Sequence, residues 1–111
     1  MATVRRGDLV AVALPVDLGK LRPALVIQSD LFNETHSTLT LLPLTSEIRS
    51  APQFRITVEP TPTNGLQLVS QIMVDKPMTF RRDRIRAPFG RMDGETMVRV
   101  GRALAVWIGI A

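Results

Sequence analysis

The 111-residue chain contains no cysteine, no tyrosine and a single histidine. Without cysteine there are no disulfides, thiolate nucleophiles or sulfur-built zinc sites, and one imidazole cannot found a conventional histidine metal centre. A metal would have to rest on carboxylates, and the ten acidic residues are scattered singly apart from Asp93 and Glu95. The expectation is chemistry that uses no metal and no cofactor. Aromatics are scarce too, with four Phe and one Trp, so stacking on aromatic rings has few supports. No apolar run approaches the roughly 18 residues of a spanning helix, and no charged-then-apolar leader opens the chain. These absences predict a cytoplasmic protein with no membrane partner.

What is present fits one domain over residues 1–111, long enough to build its own core. A composition of 45% hydrophobic and 22% charged residues lies near the globular average, which argues against a disordered chain. The net charge of +4 is unevenly placed. Residues 1–80 hold seven basic and seven acidic side chains, whereas residues 81–111 hold seven basic and three acidic. All the surplus therefore sits in the final third.

Hydrophobic patterning predicts mostly strand. The run Leu9 to Leu14, ended by Pro15, lacks helical periodicity and reads as a strand buried on both faces. Asp17 to Lys20 is a loop, Arg22-Pro23 leads into a second strand over Ala24 to Gln28, and Ser29 or Asp30 caps a turn of helix through Asn33. Thr38 to Leu42 forms a third strand, for which Pro43 predicts an edge position or a bulge. Phe54 to Val58 alternates like a half-solvated strand, Asn64-Gly65 is the strongest turn signal, and Leu66 to Val74 and Met78 to Phe80 supply further strand. The last element differs. Asp93 is a candidate N-cap, and Met97, Val100, Leu104, Trp107 and Ile108 recur at helical spacing before Gly109. An amphipathic C-terminal helix of about four turns on a sheet gives an α+β, mainly β, fold: a compact SH3-like barrel.

Several ordered segments resemble one family. Arg22-Pro23-Ala24-Leu25-Val26-Ile27-Gln28-Ser29-Asp30, the start Arg6-Gly7-Asp8-Leu9, the strand end Pro43-Leu44-Thr45-Ser46, the segment Val74 to Phe80 and the closing Gly90 to Leu104 are together similar to the MazF/PemK (Kid) toxins of bacterial toxin–antitoxin pairs. The resemblance implies a barrel-like sheet of five to seven strands, a homodimer and a sequence-specific endoribonuclease acting on single-stranded RNA. In that reaction the 2′-hydroxyl attacks the neighbouring phosphate, leaving a 2′,3′-cyclic phosphate and a 5′-hydroxyl. It needs an acceptor for the hydroxyl proton, donors for charge gathering on the phosphorane oxygens and a proton for the leaving oxygen. Metal and cysteine are dispensable.

By the resemblance, Arg22 is the catalytic arginine. A guanidinium presents forked donors to phosphate oxygens and stays charged, so it suits oxyanion stabilisation, with proton donation a second role, and is a poor base. Thr45 corresponds to the catalytic Ser/Thr, with Ser46 beside it; without the resemblance two hydroxyls ending a strand read as a turn cap. The loop before Arg22 is shorter than usual for the family and lacks its Glu or His. Asp17 there offers a carboxylate and Lys20 a phosphate contact, and the short loop predicts a shallow groove. Asp75 matches an acidic residue near the family's RNA groove, with Lys76 where Gln is common and Met73 where some members have Arg. A turn residue before Pro77 is the alternative for Asp75. His36 lies in a polar stretch and reads as solvated. Phe54 and Phe32 are the only aromatics near the expected groove loops.

Arg81, Arg82, Arg84, Arg86 and Arg91 form the densest basic segment, suited to RNA phosphates, to the acidic tail of a cognate antitoxin, or simply to solvent. Two other readings use the same fold. A CcdB-like gyrase poison ends in Trp-Gly-Ile, but here Ile108 separates Trp107 from Gly109 and would rotate the tryptophan by about 100° on a helix. A catalytically silent binding module is the other, supported by the short loop and Met73.

Overall fold

The computed structural model describes residues 3–15 and 18–111. Among them, seven strands form one curled antiparallel sheet in the order β4-β5-β3-β2-β1-β7, with β6 paired to β3 off that path. The strands are β1 (Asp8–Ala13), β2 (Leu21–Val26), β3 (Thr38–Thr45), β4 (Arg55–Val58), β5 (Ser70–Met73), β6 (Met78–Arg81) and β7 (Gly90–Arg91). Helices α1 (Asp30–Asn33) and α2 (Gly94–Trp107) complete the fold. The expected mainly-β architecture with a C-terminal helix is what forms. No helix among these residues is long and apolar enough to cross a membrane.

Strand β1 is buried on both faces, as its unbroken apolar run predicts. Leu9 packs into one core with Leu25, Leu42, Leu44, Ile72 and Val100. Val10 and Val12 pack on the opposite face with Ala24, Val26, Leu39 and Leu41. Period-two alternation divides each central strand between these two cores. Burying a leucine or valine contributes about 1.5–3 kcal/mol, so β1, β2 and β3 are anchored from both sides.

Three boundaries differ from expectation. β2 begins at Leu21 and takes Arg22 and Pro23 into the ladder, with Arg22 opposite Val12 and Pro23 opposite Ala11. β3 runs through Pro43 to Thr45 and lies at the centre of the sheet, with no edge position. Its second edge is divided: β6 pairs Thr38 to Leu41, and β5 pairs Leu44 and Thr45. Pro43 falls between the two partners, where its missing N–H disrupts no ladder. Finally, Leu66 to Val69 are not strand, because β5 starts only at Ser70.

Both helix caps form as the sequence indicates. Ser29 Oγ accepts from Leu31 N at 3.2 Å, and the Asp93 carboxylate accepts from Thr96 N at 2.9 Å. Asp30 instead accepts from Arg6 N at 2.7 Å and from Asn33 Nδ2 at 2.8 Å, which holds its carboxyl below the ordinary range. In α2, Val100 is fully buried and Met97, Ala103 and Leu104 pack on the first core. Trp107 meets Phe54 at 5.7 Å between ring centroids yet stays half exposed, and Val98, Val106, Ile108 and Ile110 are more exposed still.

Candidate active site

The site grows from the β2–β3 ladder. The ladder runs from Val26–Leu41 to Ala24–Pro43, and Arg22 and Thr45 lie two residues beyond that last pair, on adjacent strands at the same end of it. Thr45 is buried, and its Oγ1 accepts from Glu47 N at 3.1 Å. That bond fixes the rotamer and leaves the hydroxyl's own hydrogen to be donated. The arginine and the hydroxyl named from sequence thus belong to one strand end.

Around the end of β3 gathers a polar cluster that sequence reasoning did not single out. Buried Gln71, opposite Thr45, accepts through Oε1 from Arg49 N (3.0 Å) and Arg55 Nη1 (3.2 Å) and donates to Arg49 O (2.9 Å) and Thr57 Oγ1 (3.2 Å). Arg55 Nη1 also donates to Glu47 O at 3.0 Å. Arg49 holds the Glu47 carboxyl below its ordinary range, first by a hydrogen bond and then by its charge, with Arg55 and Arg22 adding to the effect. A cationic field therefore covers this strand end. The alternation Arg55, Thr57 in β4 was the available signal, since it puts both on the polar face beside Gln71.

A groove of about 570 Å³ opens beside the cluster, within the usual range for ligand sites of about 300–1,000 Å³. Lys20 to Pro23, Ala11, Leu44, Ser46, residues 65–68, Ser70 and Phe89 line it; because β1 lies between β2 and β7, Phe89 faces Lys20 to Pro23 across Ala11. Of the residues named from sequence, the groove brings together Lys20, Arg22 and Ser46; Thr45 is not in its lining and by strand alternation turns away from Leu44, which is. Asp17 lies outside the described residues. Asp75 and Lys76 occupy the turn between β5 and β6 and are not in the groove lining. Lys76 Nζ sits 3.5 Å from Asp75 Oδ2, while Asp75 Oδ1 is buried without a hydrogen-bond partner.

The aromatic assignments change. Phe54 packs against Trp107, whereas Phe89, which no local pattern marked, faces the groove. Much of the basic segment is structural. Arg91 Nη1 pairs with Asp8 Oδ1 at 2.7 Å, Arg81 Nη2 with Asp83 Oδ2 at 2.5 Å, and Arg82 donates to the carbonyls of Asn33 and His36.

Residues 5–108 match the profile described as PemK-like, MazF-like toxin of type II toxin–antitoxin system. A probable endoribonuclease MazF of Mycolicibacterium smegmatis is 45% identical over 109 residues, covering 97% of this chain and 99% of the relative. The endoribonuclease EndoA of Bacillus subtilis is 28% identical over 111 residues, covering 96% of each. Among solved structures, an endoribonuclease in complex with its cognate antitoxin from mycobacterial species superposes with a TM-score of 0.82 at 20% identity, over 97% of both chains.

Proposed function

The chain belongs to the PemK-like, MazF-like toxins of type II toxin–antitoxin systems, with relatives that are endoribonucleases, and from that premise we propose how it cuts single-stranded RNA. The observation that carries the reading is the convergence of Lys20, Arg22 and Ser46 on one groove, beside the strand end that holds Thr45. The 2′-oxygen attacks phosphorus as its proton passes to a carboxylate, the P–O5′ bond breaks, and the departing 5′-oxygen takes a proton from the Arg22 guanidinium, which regains one from solvent as the carboxylate releases its own. The products are a 2′,3′-cyclic phosphate and a 5′-hydroxyl, with no metal ion or cofactor in the step.

Arg22 places forked donors on the non-bridging oxygens, where charge builds, and Thr45 donates its hydroxyl hydrogen to the same phosphate. Lys20 and Ser46 hold the strand on either side. Asp17, three residues before Lys20 in the sequence, is the proposed acceptor of the 2′-hydroxyl proton. Glu47 suits that role less, because its arginine neighbours make its carboxylate a weaker base. Asp75 and Lys76 are proposed to contact RNA outside the groove, with the exposed Lys76 ammonium meeting a phosphate while Asp75 holds it in place.

Residues 1–111 act as one toxin domain in the cytoplasm, where the RNA is. A cognate antitoxin with an acidic segment is the proposed protein partner, drawn to the Lys20, Arg22, Arg49 and Arg55 surface. A homodimer is proposed through the exposed apolar end of α2, where Val98, Val106, Ile108 and Ile110 face solvent in the single chain.

The test is RNA cleavage in EDTA with end-group analysis. Metal-independent cuts bearing cyclic phosphates are expected, and Arg22→Ala and Thr45→Ala should each lose about 10²- to 10³-fold in rate, as expected for one preorganised donor. Full activity in both folded variants would move the chemistry elsewhere. Gyrase-linked DNA breaks without RNA cleavage would identify a CcdB-like poison, and neither activity would identify a silent binding module.

A further inference from the structure

We infer that Phe89 and Gln67 form a subsite for one unpaired base of the RNA, in which the ring stacks on the base and the amide reads its edge. The inference rests on the endoribonuclease reading and adds to it the residues that select sequence.

Phe89 is fixed before any ligand arrives. Its N–H donates to Leu9 O at 2.9 Å, and Arg91 N donates to Thr63 O at 2.9 Å, tying this segment to β1 and to the Thr61–Leu66 loop. Two glycines let that loop press against it. A Cβ on Gly65, where φ is +69°, would lie 2.8 Å from Phe89 O and 3.0 Å from Phe89 Cδ1, and one on Gly90 would lie 2.0 Å from Asn64 O. The ring is thus backed by the loop, yet 43% of the residue remains exposed where it lines the groove. An exposed ring held rigidly loses little conformational freedom when something stacks on it.

Gln67 lies on the same wall. Gln28 and Gln71 commit their amides to the fold through several hydrogen bonds each, but the Gln67 amide makes none among the described residues. A carboxamide presents a donor and an acceptor side by side, which matches the edge of a nucleobase. The groove therefore offers cations for a phosphate on the Lys20 and Arg22 wall, and a ring with a paired donor and acceptor on the facing wall. That division follows the chemistry of a nucleotide, and unpaired RNA bases are read by stacking together with edge hydrogen bonds. An apolar peptide side chain would use Phe89 but would leave the Gln67 amide unanswered.

The experiment compares the wild type with Phe89→Leu, Phe89→Trp and Gln67→Ala, each checked for folding by thermal melting. Cut ends from a randomised single-stranded RNA pool are sequenced, KM and kcat are measured on the preferred site, and binding is measured to the same site made uncleavable by a 2′-deoxy substitution. Phe89→Leu should raise KM and weaken binding about 5- to 150-fold, equivalent to one stacked base at ~1–3 kcal/mol, with kcat much less affected. Phe89→Trp should recover most of that loss, and Gln67→Ala should broaden the base accepted at one position. Unchanged KM and unchanged cut-site preference in folded Phe89→Leu and Gln67→Ala would overturn the subsite. So would a loss confined to affinity for an acidic antitoxin peptide, which would assign the wall to protein. Phe89-dependent binding without any wild-type cleavage would instead sink the nuclease reading while leaving the subsite standing.

Discussion

Replacing Asn64 by alanine tests whether one buried side chain holds the wall of the groove. Asn64 is only 4% exposed, and its Oδ1 accepts from Thr61 N at 2.9 Å and Leu66 N at 3.0 Å while its Nδ2 donates to Glu59 O at 2.9 Å. Asn64→Ala removes all three part-buried bonds, with Glu59 and Thr61 themselves in exposed chain. At ~1 kcal/mol net for each hydrogen bond the loss is about 3 kcal/mol. For a domain of this size that is a fall in Tm of roughly 10 to 20 °C. Urea unfolding should show the midpoint falling at an unchanged slope, because the surface exposed on unfolding hardly alters. Where the variant remains folded, RNA binding should weaken more than kcat falls, because Gly65 to Leu68 and Phe89 lose their backing while Arg22 and Thr45 keep theirs. A destabilisation below about 0.5 kcal/mol would refute the reasoning and show that backbone contacts such as Arg91 N to Thr63 O hold the loop by themselves.

Light scattering at micromolar concentration should report a dimer, and Val106→Glu with Ile110→Glu should shift it to monomer; an unshifted dimer would place the interface away from the end of α2. Hydrogen bonds from Thr96 hold the Asp93 carboxyl below its ordinary range, so its cap contributes fully above the unfolded pKa and is lost as pH falls below about 4 through the lower folded value. Asp93→Ala should therefore cost about 1 kcal/mol at neutral pH, and the gap to the wild type should close in acid, as followed by thermal melting. An acidic antitoxin peptide should compete with RNA, with association slowing steeply between low and physiological salt in stopped-flow measurements; unchanged RNA binding in its presence would exclude a shared surface.

Much of this fold was legible because local signals and tertiary needs agree. The apolar runs of β1 and β3 are buried on both faces, and Asp93 caps α2 as the pattern requires. Pro43 shows the limit of a local rule: proline argues for an edge, but here the edge of a central strand is divided and the proline sits in the division. Leu66 to Val69 show another limit, since apolar residues read as buried strand whereas Leu66 and Leu68 line an open groove. The Arg22 and Thr45 assignments came through the resemblance, and the ladder places both just beyond its last pair, on adjacent strands. Phe89 and the Gln71 cluster were hidden for one reason. Their meaning depends on partners far along the chain, Leu9 and Asn64 for Phe89, and Arg49 and Thr57 for Gln71, and no periodicity encodes such pairings.

The divided edge of β3 also bears on how the sheet curls. Ile27 N donates to Thr40 O, so even-numbered residues of β3 direct their backbone groups to β2, and Ser37 O accepts from Arg82 N, so odd-numbered residues face the other edge. Pro43 is odd-numbered and buried, and it faces the break where β6 ends as a partner and β5 begins. Any other residue there would bring a buried N–H to that break, which must find an acceptor or cost about 1–3 kcal/mol. Proline brings no donor. One strand can therefore pass its edge from β6 to β5, turning the corner of the sheet, with no N–H stranded in the interior.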